Sequence, residues 1–478
     1  MAVKSSQRAT ADTGLRRDCL SFPEVLAQSV SMIAPSTVPA ALIGFVFASA
    51  GTATWFSYLI ATIGLVFVCF CINQFARRSA SPGALYTYIA RGLGSTAGVL
   101  AGWALTLAYL LLAANVTAGF SYYTNILLGD FGLQAPSVLL FAVCMGVAWY
   151  IAYTDIQLSA VLMLIIEFIS IGAVTLLALL VLARQGFAID FSQLTLRGAT
   201  PSGISLAMVL AILSFTGFES ATTLGDEAKR PTSSIPRAIV WSTLLAGSFY
   251  VLLSYSEVLA FSGSATPFNE VEAPLNAMAN LAGVGWLGII INIVLIISFF
   301  SCALASLNAG SRIAYSLARH RFYPSQLGAA HARNETPHVA VTLASISVFL
   351  VIALMSLFGV ADLDILGYLA SIATYGLLFV YILVSIAAPV YLARLGNVQT
   401  HHRVIAALAV LFMAIPLIGS IYPVPAFPYN IFPYIFLLYL TVGAWFLWSL
   451  RRRSPQAIED IERELEAAHS RASDRVSE

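Results

Sequence analysis

Two short stretches, Pro35-Ser36-Thr37-Val38-Pro39 and Ser214-Phe215-Thr216-Gly217-Phe218-Glu219, each interrupt a long apolar run near its middle. The two runs, at approximately 24–50 and 205–227, are long enough to cross a bilayer, which takes about 20 residues. Lipid cannot hydrogen-bond a bare peptide group, so a broken helix is tolerated only where it lines a cavity or is covered by protein. Paired breaks at matching places predict a binding site inside a membrane protein. The alternative is that the prolines of the first stretch only kink a packing helix.

The composition places most of the chain in lipid. Of its 478 residues, 59% are hydrophobic and 10% are charged, whereas a soluble globular chain carries roughly 25% charged residues. Hydropathy predicts about twelve transmembrane helices, at approximately 24–50, 54–76, 96–125, 136–154, 158–184, 205–227, 237–262, 284–316, 339–359, 366–392, 404–422 and 430–450.

The basic residues are distributed very unevenly between the two sides of this predicted bundle. With both termini on one side, that side holds 22 of the 24 lysines and arginines, and the other holds only Arg184 and Arg197. Cytoplasmic loops carry the excess of basic residues. The sequence therefore predicts a multi-pass protein of the cell membrane with both termini in the cytoplasm and an even number of spans.

The breaks also divide the chain into repeats. Each opens a group of five spans, and because five is odd, the second group is predicted to have inverted topology. Each group carries a turn-rich segment between its second and third members, at 79–94 and 263–283. We predict a cytoplasmic N-terminal arm at 1–23, repeats at 24–184 and 205–392, two additional helices at 404–450, and a charged, helical cytoplasmic tail at 451–478.

The order of several motifs resembles that of the amino acid–polyamine–organocation permease superfamily. The stretch LSFTGFESATTLGDEAKRP at 213–231 resembles its sixth-span signature, and Ile33-Ala34-Pro35 its first-span break. Further pieces, at 82–88, 308–319 and 336–340, resemble its first cytoplasmic loop, eighth-span exit and ninth-span entry. The resemblance covers roughly 24–450 and implies a leucine-transporter-like fold of two inverted five-helix repeats plus two helices, working by alternating access.

The resemblance also implies a substrate site between the first and sixth spans. Ser36, Thr37 and Val38 would offer backbone to a carboxylate, and carbonyls of Phe215, Thr216 and Gly217 would bind an ammonium. Phe218 resembles the aromatic that closes over the substrate, although its residue type alone also fits a lipid-facing position. Tyr375 is a candidate for the outer gate.

Three acids, Glu167, Glu219 and Glu257, lie within predicted spans, where charged residues are costly and usually functional. Glu219 is the last residue of the second stretch and is expected to bind the substrate amine, gate the pathway or accept hydrogen bonds from unwound backbone. Glu257 lies near the outer end of its span and is expected to reach water. Glu167 has no basic partner in a neighbouring turn, and a buried carboxyl favours its neutral form. It is therefore a candidate for proton coupling; the alternative is a protonated group that only hydrogen-bonds a neighbouring helix.

Sodium-coupled relatives of this fold bind the cation through adjacent hydroxyl residues on the eighth span. The corresponding pair here is Ser301-Cys302, and a thiol is a poor ligand for a hard cation. Sodium coupling is therefore not expected. No residue spacing indicates a metal site, and no cofactor is predicted.

Together these observations predict a permease that moves an amino acid, preferably neutral, because no acid lies in the third, eighth or tenth span to bind a cationic side chain. Two alternatives remain open at this stage: a permease or exchanger for an amine or polyamine, and a non-transporting sensor on the same fold. An enzyme is disfavoured because the spans hold no His and no paired acids. The expected partners are the solute, a coupling proton and lipid, and no basic patch indicates nucleic acid.

Overall fold

The structure, a computed structural model, describes residues 14–79, 83–187, 189–262, 264, 266–422 and 424–453. Across these ranges the regular elements are helices, and the single β-bridge pairs Leu20 with Ala228. The predicted all-helical membrane fold is confirmed. The predicted tail helix lies outside the described residues, except for its first three positions.

Seventeen α-helices follow one another along the described ranges. They are α1 (Phe22–Ile33), α2 (Thr37–Ala41), α3 (Ile43–Ala50), α4 (Thr54–Ala76), α5 (Ala84–Leu93), α6 (Ser95–Gly129), α7 (Ser137–Thr154), α8 (Ile156–Arg184), α9 (Phe191–Leu194), α10 (Pro201–Leu213), α11 (Pro231–Ala260), α12 (Pro274–Leu281), α13 (Leu287–Arg319), α14 (His338–Leu357), α15 (Asp362–Arg394), α16 (Thr400–Gly419) and α17 (Phe432–Arg453).

Ten helical segments in the described part of the chain are long and apolar enough to cross a membrane. The predicted first span divides into α1, α2 and α3, and the predicted sixth span divides into α10 and the 3₁₀ turn Ser220–Leu224. Both interruptions occur where the sequence predicts them. The total of twelve spans stays a prediction, since neither α1 nor α10 reaches the length of a full crossing.

Burial separates a central group of helices from a peripheral one. The most apolar windows of α6 and α13 are each 67% buried inside the protein, whereas those of α16 and α17 are each 22% buried. The long helix α6 packs along both α13 and α15, and α4 packs along α11. The two helices predicted to lie outside the repeats are therefore at the periphery.

The two segments predicted as turn-rich each contain a helix. In the first, α5 is almost wholly buried against α6 and α15, and the Tyr86 hydroxyl lies 2.8 Å from that of Ser316. In the second, α12 packs against α13 and α2. Gly83 and Gly94 flank α5, and Pro274 is the first residue of α12, as is usual for helix ends.

Contacts between loops follow the predicted division into two sides. The N-terminal arm joins loops of one side: Arg16 forms an ion pair with Asp155 at 3.1 Å, and its N–H donates to the Glu335 carbonyl. On the other side, the Thr52 hydroxyl donates to the Arg197 carbonyl. Which of the two sides faces the cytoplasm stays a prediction from the arginine distribution.

One ion pair is fully buried beneath this arm. The Arg312 guanidinium, 1% exposed, contacts Glu227 through Nη2 at 2.7 Å and Nε at 2.9 Å. The Glu227 carbonyl accepts the N–H groups of Cys19 and Leu20, both at 2.9 Å. The Arg312 guanidinium can be buried because an acid at the end of the sixth span neutralises it.

Candidate functional site

The first break is a sharp change of backbone direction between α1 and α2. Ala34 ends α1 in the left-handed region, at φ 47° and ψ 64°. Ser36 and Thr37 follow, and the Thr37 hydroxyl donates to the Ala34 carbonyl at 2.8 Å. The Ser36 hydroxyl instead leaves this segment and donates to the Ser298 hydroxyl on α13 at 2.8 Å. Val38 is buried in the first turn of α2.

The second break runs from Ser214 to Glu219. Gly217 has a φ of +99°, which only glycine adopts readily. The carbonyls of Phe215 and Gly217 accept the N–H groups of Phe218 at 3.3 Å and Ser220 at 3.0 Å.

The Thr216 carbonyl differs from its neighbours, because it accepts no hydrogen bond from the described residues. Thr216 is also part-exposed, whereas the other predicted site residues around it are buried. A carbonyl has two acceptor positions, so this peptide group retains its full capacity to bind a donor such as an ammonium.

The two breaks lie directly against each other. A Cβ on Gly217 would overlap the Met32 side chain, with Met32 Cβ only 3.1 Å away. Just below, the Ser220 hydroxyl donates to the Gln28 carbonyl at 3.2 Å, and the Ser29 hydroxyl accepts the Ala221 N–H at 3.0 Å. The last turns of α1, which lead into the first break, therefore pack directly against the second break.

Aromatic rings enclose the second break on two sides. Phe215 packs edge-on against Tyr250, with 5.0 Å between ring centroids, and the Tyr250 hydroxyl donates to the Ser214 carbonyl. Phe218 packs against Tyr381 at 5.2 Å. Both phenylalanines have no exposed surface, so the lipid-facing alternative for Phe218 is excluded.

Glu219 is held by two tyrosines from different helices. Its Oε1 accepts the Tyr109 hydroxyl of α6 at 2.8 Å, and its Oε2 accepts the Tyr381 hydroxyl of α15 at 2.5 Å. The Tyr381 oxygen in turn lies 3.5 Å from the Gly217 N–H, which donates to it. Neither tyrosine was identified from the sequence. Both carboxyl oxygens are thus satisfied without any basic residue, and we call these three side chains the Glu219 clamp.

Glu167 is equally buried but only weakly bonded. The Ser298 hydroxyl donates to its Oε1 at 3.4 Å, while its Oε2 has no hydrogen-bond partner among the described residues. Since Ser298 accepts from Ser36, a chain of hydroxyl groups joins Glu167 to the first break. The neighbouring Cys302 thiol donates to the Met32 carbonyl at 3.3 Å, so the predicted Ser301-Cys302 position does face that break.

The other two sequence candidates lie away from the breaks. Tyr375 is buried on α15, stacks on Phe436 at 6.2 Å, and lines a small cavity beside α16. The expectation that Glu257 reaches water is wrong, because its side chain is 0% exposed. Neither of its carboxyl oxygens has a hydrogen-bond partner in the described part of the chain. That part also contains no cluster of three or more His, Cys, Asp or Glu side chains that would hold a metal.

Comparison of the sequence with known proteins finds similar chains among transporters. The model of the amino acid permease family matches residues 26–445. A branched-chain amino acid permease of Bacillus subtilis is 25% identical over 76% of this chain and 80% of its own length. Another from Lactococcus lactis is 27% identical over 63% and 68%. The cationic amino acid transporter 4 of mouse is 25% identical over 78% of this chain and 60% of its own length.

Proposed function

The chain belongs to the amino acid permease family, and from that premise we propose that it carries a neutral amino acid across the cell membrane by alternating access. The observation that carries the proposal is the contact of Met32, in the last turn of α1 before the first break, with Gly217 of the second break. Broken helices that meet inside a membrane bundle provide unpaired backbone groups of both polarities, which suit a zwitterion.

The backbone of the substrate binds across this contact. Its carboxylate lies at the start of α2, where Ser36, Thr37 and Val38 present the positive end of the half-helix. Its ammonium binds the Thr216 carbonyl, the acceptor that has no hydrogen bond from the described residues. Phe215 and Phe218, which flank Thr216 and Gly217, exclude water from the bound amino group.

The side chain of the substrate is neutral and preferably apolar. A cationic side chain needs a carboxylate, and both oxygens of Glu219 already accept tyrosine hydroxyls. The surroundings of the second break are instead aromatic. Two of the relatives are permeases for branched-chain amino acids by name, which agrees with an apolar side-chain pocket; the relative named for cationic substrates is the competing precedent.

The Glu219 clamp is the gate. It ties α6 and α15 to the sixth-span break, so these helices separate only when the two hydrogen bonds break. Tyr375 lies on the same helix, α15, six residues before Tyr381. It is a separate candidate for the outer gate.

The coupling ion is a proton, and Glu167 binds it. Protonation of the free Glu167 Oε2 breaks no existing hydrogen bond. The hydroxyls of Ser298 and Ser36 transmit the change in charge to the start of α2, where the substrate carboxylate binds. Sodium is not the coupling ion, because Cys302 offers sulfur where a hydroxyl oxygen is needed. Both termini, with the arginine-rich loops, face the cytoplasm.

Transport by purified protein in liposomes tests the proposal. Radiolabelled leucine uptake should be driven by an imposed inward proton gradient and should be unchanged when sodium is replaced by choline. Excess unlabelled leucine or alanine should compete, whereas arginine and putrescine should not. Competition by arginine or putrescine alone would contradict the substrate class, and the absence of any uptake would favour a sensor.

A further inference from the structure

A cavity of about 310 Å³ opens between α4, α15 and α16, and no residue of either helix break lines it. It lies at the ends of these helices where the chain carries Arg77, Arg78, Arg394 and Arg403. None of the residues that line it is an acid. The proposed transport mechanism makes no use of it.

One end of the cavity is basic. Arg77 is exposed there and forms no ion pair within the described residues. His401 and His402 line the cavity from the first turn of α16, with 4.0 Å between their ring centroids. His402 Nδ1 accepts the Gln399 N–H at 3.1 Å. Its Nε2 therefore carries a hydrogen and is available as a donor to an anion.

An unsatisfied acceptor lies deeper in the same cavity. Asn73, 2% exposed, donates through Nδ2 to the Pro236 carbonyl at 3.3 Å, which sets the orientation of its amide. Its Oδ1 accepts no hydrogen bond from the described residues. A buried acceptor of this kind costs free energy unless a donor meets it, so the occupant of the cavity should carry one.

The opposite end of the cavity is apolar. Phe70, 43% exposed, and Ile405 form this end together with Pro389. Phe70 precedes Arg77 by seven residues on α4, which is about 10 Å along a helix. The cavity therefore changes from basic to apolar along the direction in which a lipid changes from headgroup to acyl chain.

We propose that this cavity binds a glycerophospholipid whose headgroup carries a hydrogen-bond donor, such as an amine or a hydroxyl. The phosphate lies between Arg77 and His402, and the headgroup turns inward between the helices, so that its donor meets the buried Asn73 Oδ1. The first acyl carbons lie along Phe70 and Ile405. Basic pockets between transmembrane helices recognise phosphate headgroups in this way. A soluble anion would leave the apolar end unfilled, which is why a lipid is the favoured source of the phosphate.

The bound lipid would join three parts of the molecule, since α4, α15 and α16 belong to the first repeat, the second repeat and the additional helices. Binding to the folded protein raises its thermal stability by mass action. Thermal unfolding of the full chain in detergent therefore measures the site directly, with no transport assay. Phosphatidylethanolamine and phosphatidylglycerol should each stabilise the protein, and phosphatidylcholine, whose ammonium has no N–H, should stabilise it less. Diacylglycerol and inorganic phosphate should have no effect.

A matched pair of variants locates the site. Arg77→Gln should raise the phosphatidylglycerol concentration for half-maximal stabilisation about tenfold, as expected for loss of one charge-assisted hydrogen bond. Arg403→Gln removes the same charge from an exposed neighbour of the cavity and should leave that concentration unchanged. Asn73→Leu should abolish the preference over phosphatidylcholine.

Three results would overturn the proposal. Equal weakening by Arg77→Gln and Arg403→Gln would show only non-specific attraction between the basic surface and the lipid. Stabilisation of the protein by inorganic phosphate in the absence of lipid would identify a soluble-anion site. Equal stabilisation of the wild-type chain by all three phospholipids would exclude recognition of a headgroup donor, whether or not the variants fold.

Discussion

The two helix breaks are each associated with a buried acid, and the two acids have opposite surroundings. At the second break, Glu219 belongs to the break itself, and two tyrosine hydroxyls satisfy both of its oxygens at 2.8 and 2.5 Å. At the first break, Glu167 is reached only through Ser298 and Ser36, and one of its oxygens has no partner among the described residues.

This difference supports separate tasks for the two acids. A carboxyl whose oxygens are both occupied holds helices together, and changing its charge disrupts that contact. A carboxyl with a free oxygen gains or loses a proton with little rearrangement. We therefore infer that Glu219 controls opening for every solute movement, whereas Glu167 controls only the coupling of that movement to protons.

The largest expected effect comes from the backbone of the breaks. Gly217→Val should abolish exchange and accumulation, at least a hundredfold below wild type, while the protein still inserts in the membrane. A Cβ at position 217 overlaps Met32, and the Gly217 φ of +99° is strained for any residue other than glycine. The matched change at the other break, Ala34→Gly, relieves a left-handed alanine and should alter transport by no more than about a factor of two. Normal transport by the valine variant would place the break elsewhere.

The next effect tests the Glu219 clamp. Glu219→Gln removes the charge from two charge-assisted hydrogen bonds, each contributing about 1.5–3 kcal/mol, so solute exchange and proton-driven accumulation should both fall by roughly tenfold or more. Initial rates in proteoliposomes measure both. A variant that loses accumulation alone would reassign proton coupling to Glu219.

A smaller and more specific effect is expected from Tyr381→Phe, which removes one donor and keeps the ring against Phe218. Exchange and accumulation should fall together by a few-fold to tenfold. Tyr434→Phe removes the same hydroxyl from a side chain that is 69% exposed on α17 and should leave both rates unchanged. Unequal loss of the two activities in the Tyr381 variant would contradict the clamp.

The smallest effect is expected at the hydroxyl chain. Ser298→Ala removes the link between Glu167 and Ser36, so accumulation driven by a pH gradient should fall by about threefold while exchange is retained. Ser345→Ala is the control, because among the described residues that buried hydroxyl bonds only to the Val341 carbonyl of its own helix. An equal decrease in exchange would show that Ser298 has only a packing role.

The sequence predicts the spans and both breaks because these depend on local properties: apolar length, two prolines, and a glycine within an apolar run. It does not predict the Glu219 clamp, because a clamp depends on which faces of three helices meet. Tyr375 and Tyr381 illustrate this. They are six residues apart, so they point about 120° apart around α15 and lie about 9 Å apart along it. Both are mid-span tyrosines in the sequence, and only the packing of α15 against α6 distinguishes them.

Burial of charges follows the same principle. Arg312 and Glu227 are 85 residues apart in the chain and meet only because the end of the sixth span folds under the N-terminal arm. From its position near the end of its span, Glu257 is expected to reach water, yet the helices around it cover it completely. Side-chain environments of this kind follow from the tertiary arrangement of helices and not from position within a span.

The most direct test of the account compares Glu167→Gln with wild type in one proteoliposome preparation, measuring leucine exchange without a gradient and leucine accumulation under an imposed pH gradient. Glutamine preserves the shape of the side chain and cannot titrate. We expect the Glu167 variant to keep exchange within about threefold of wild type and to lose pH-driven accumulation. Glu257→Gln, the same change at a second buried acid with no partner among the described residues, should keep both activities. A Glu167→Gln variant that still concentrates leucine under the pH gradient would contradict the account, as would loss of accumulation in the Glu257 variant alone.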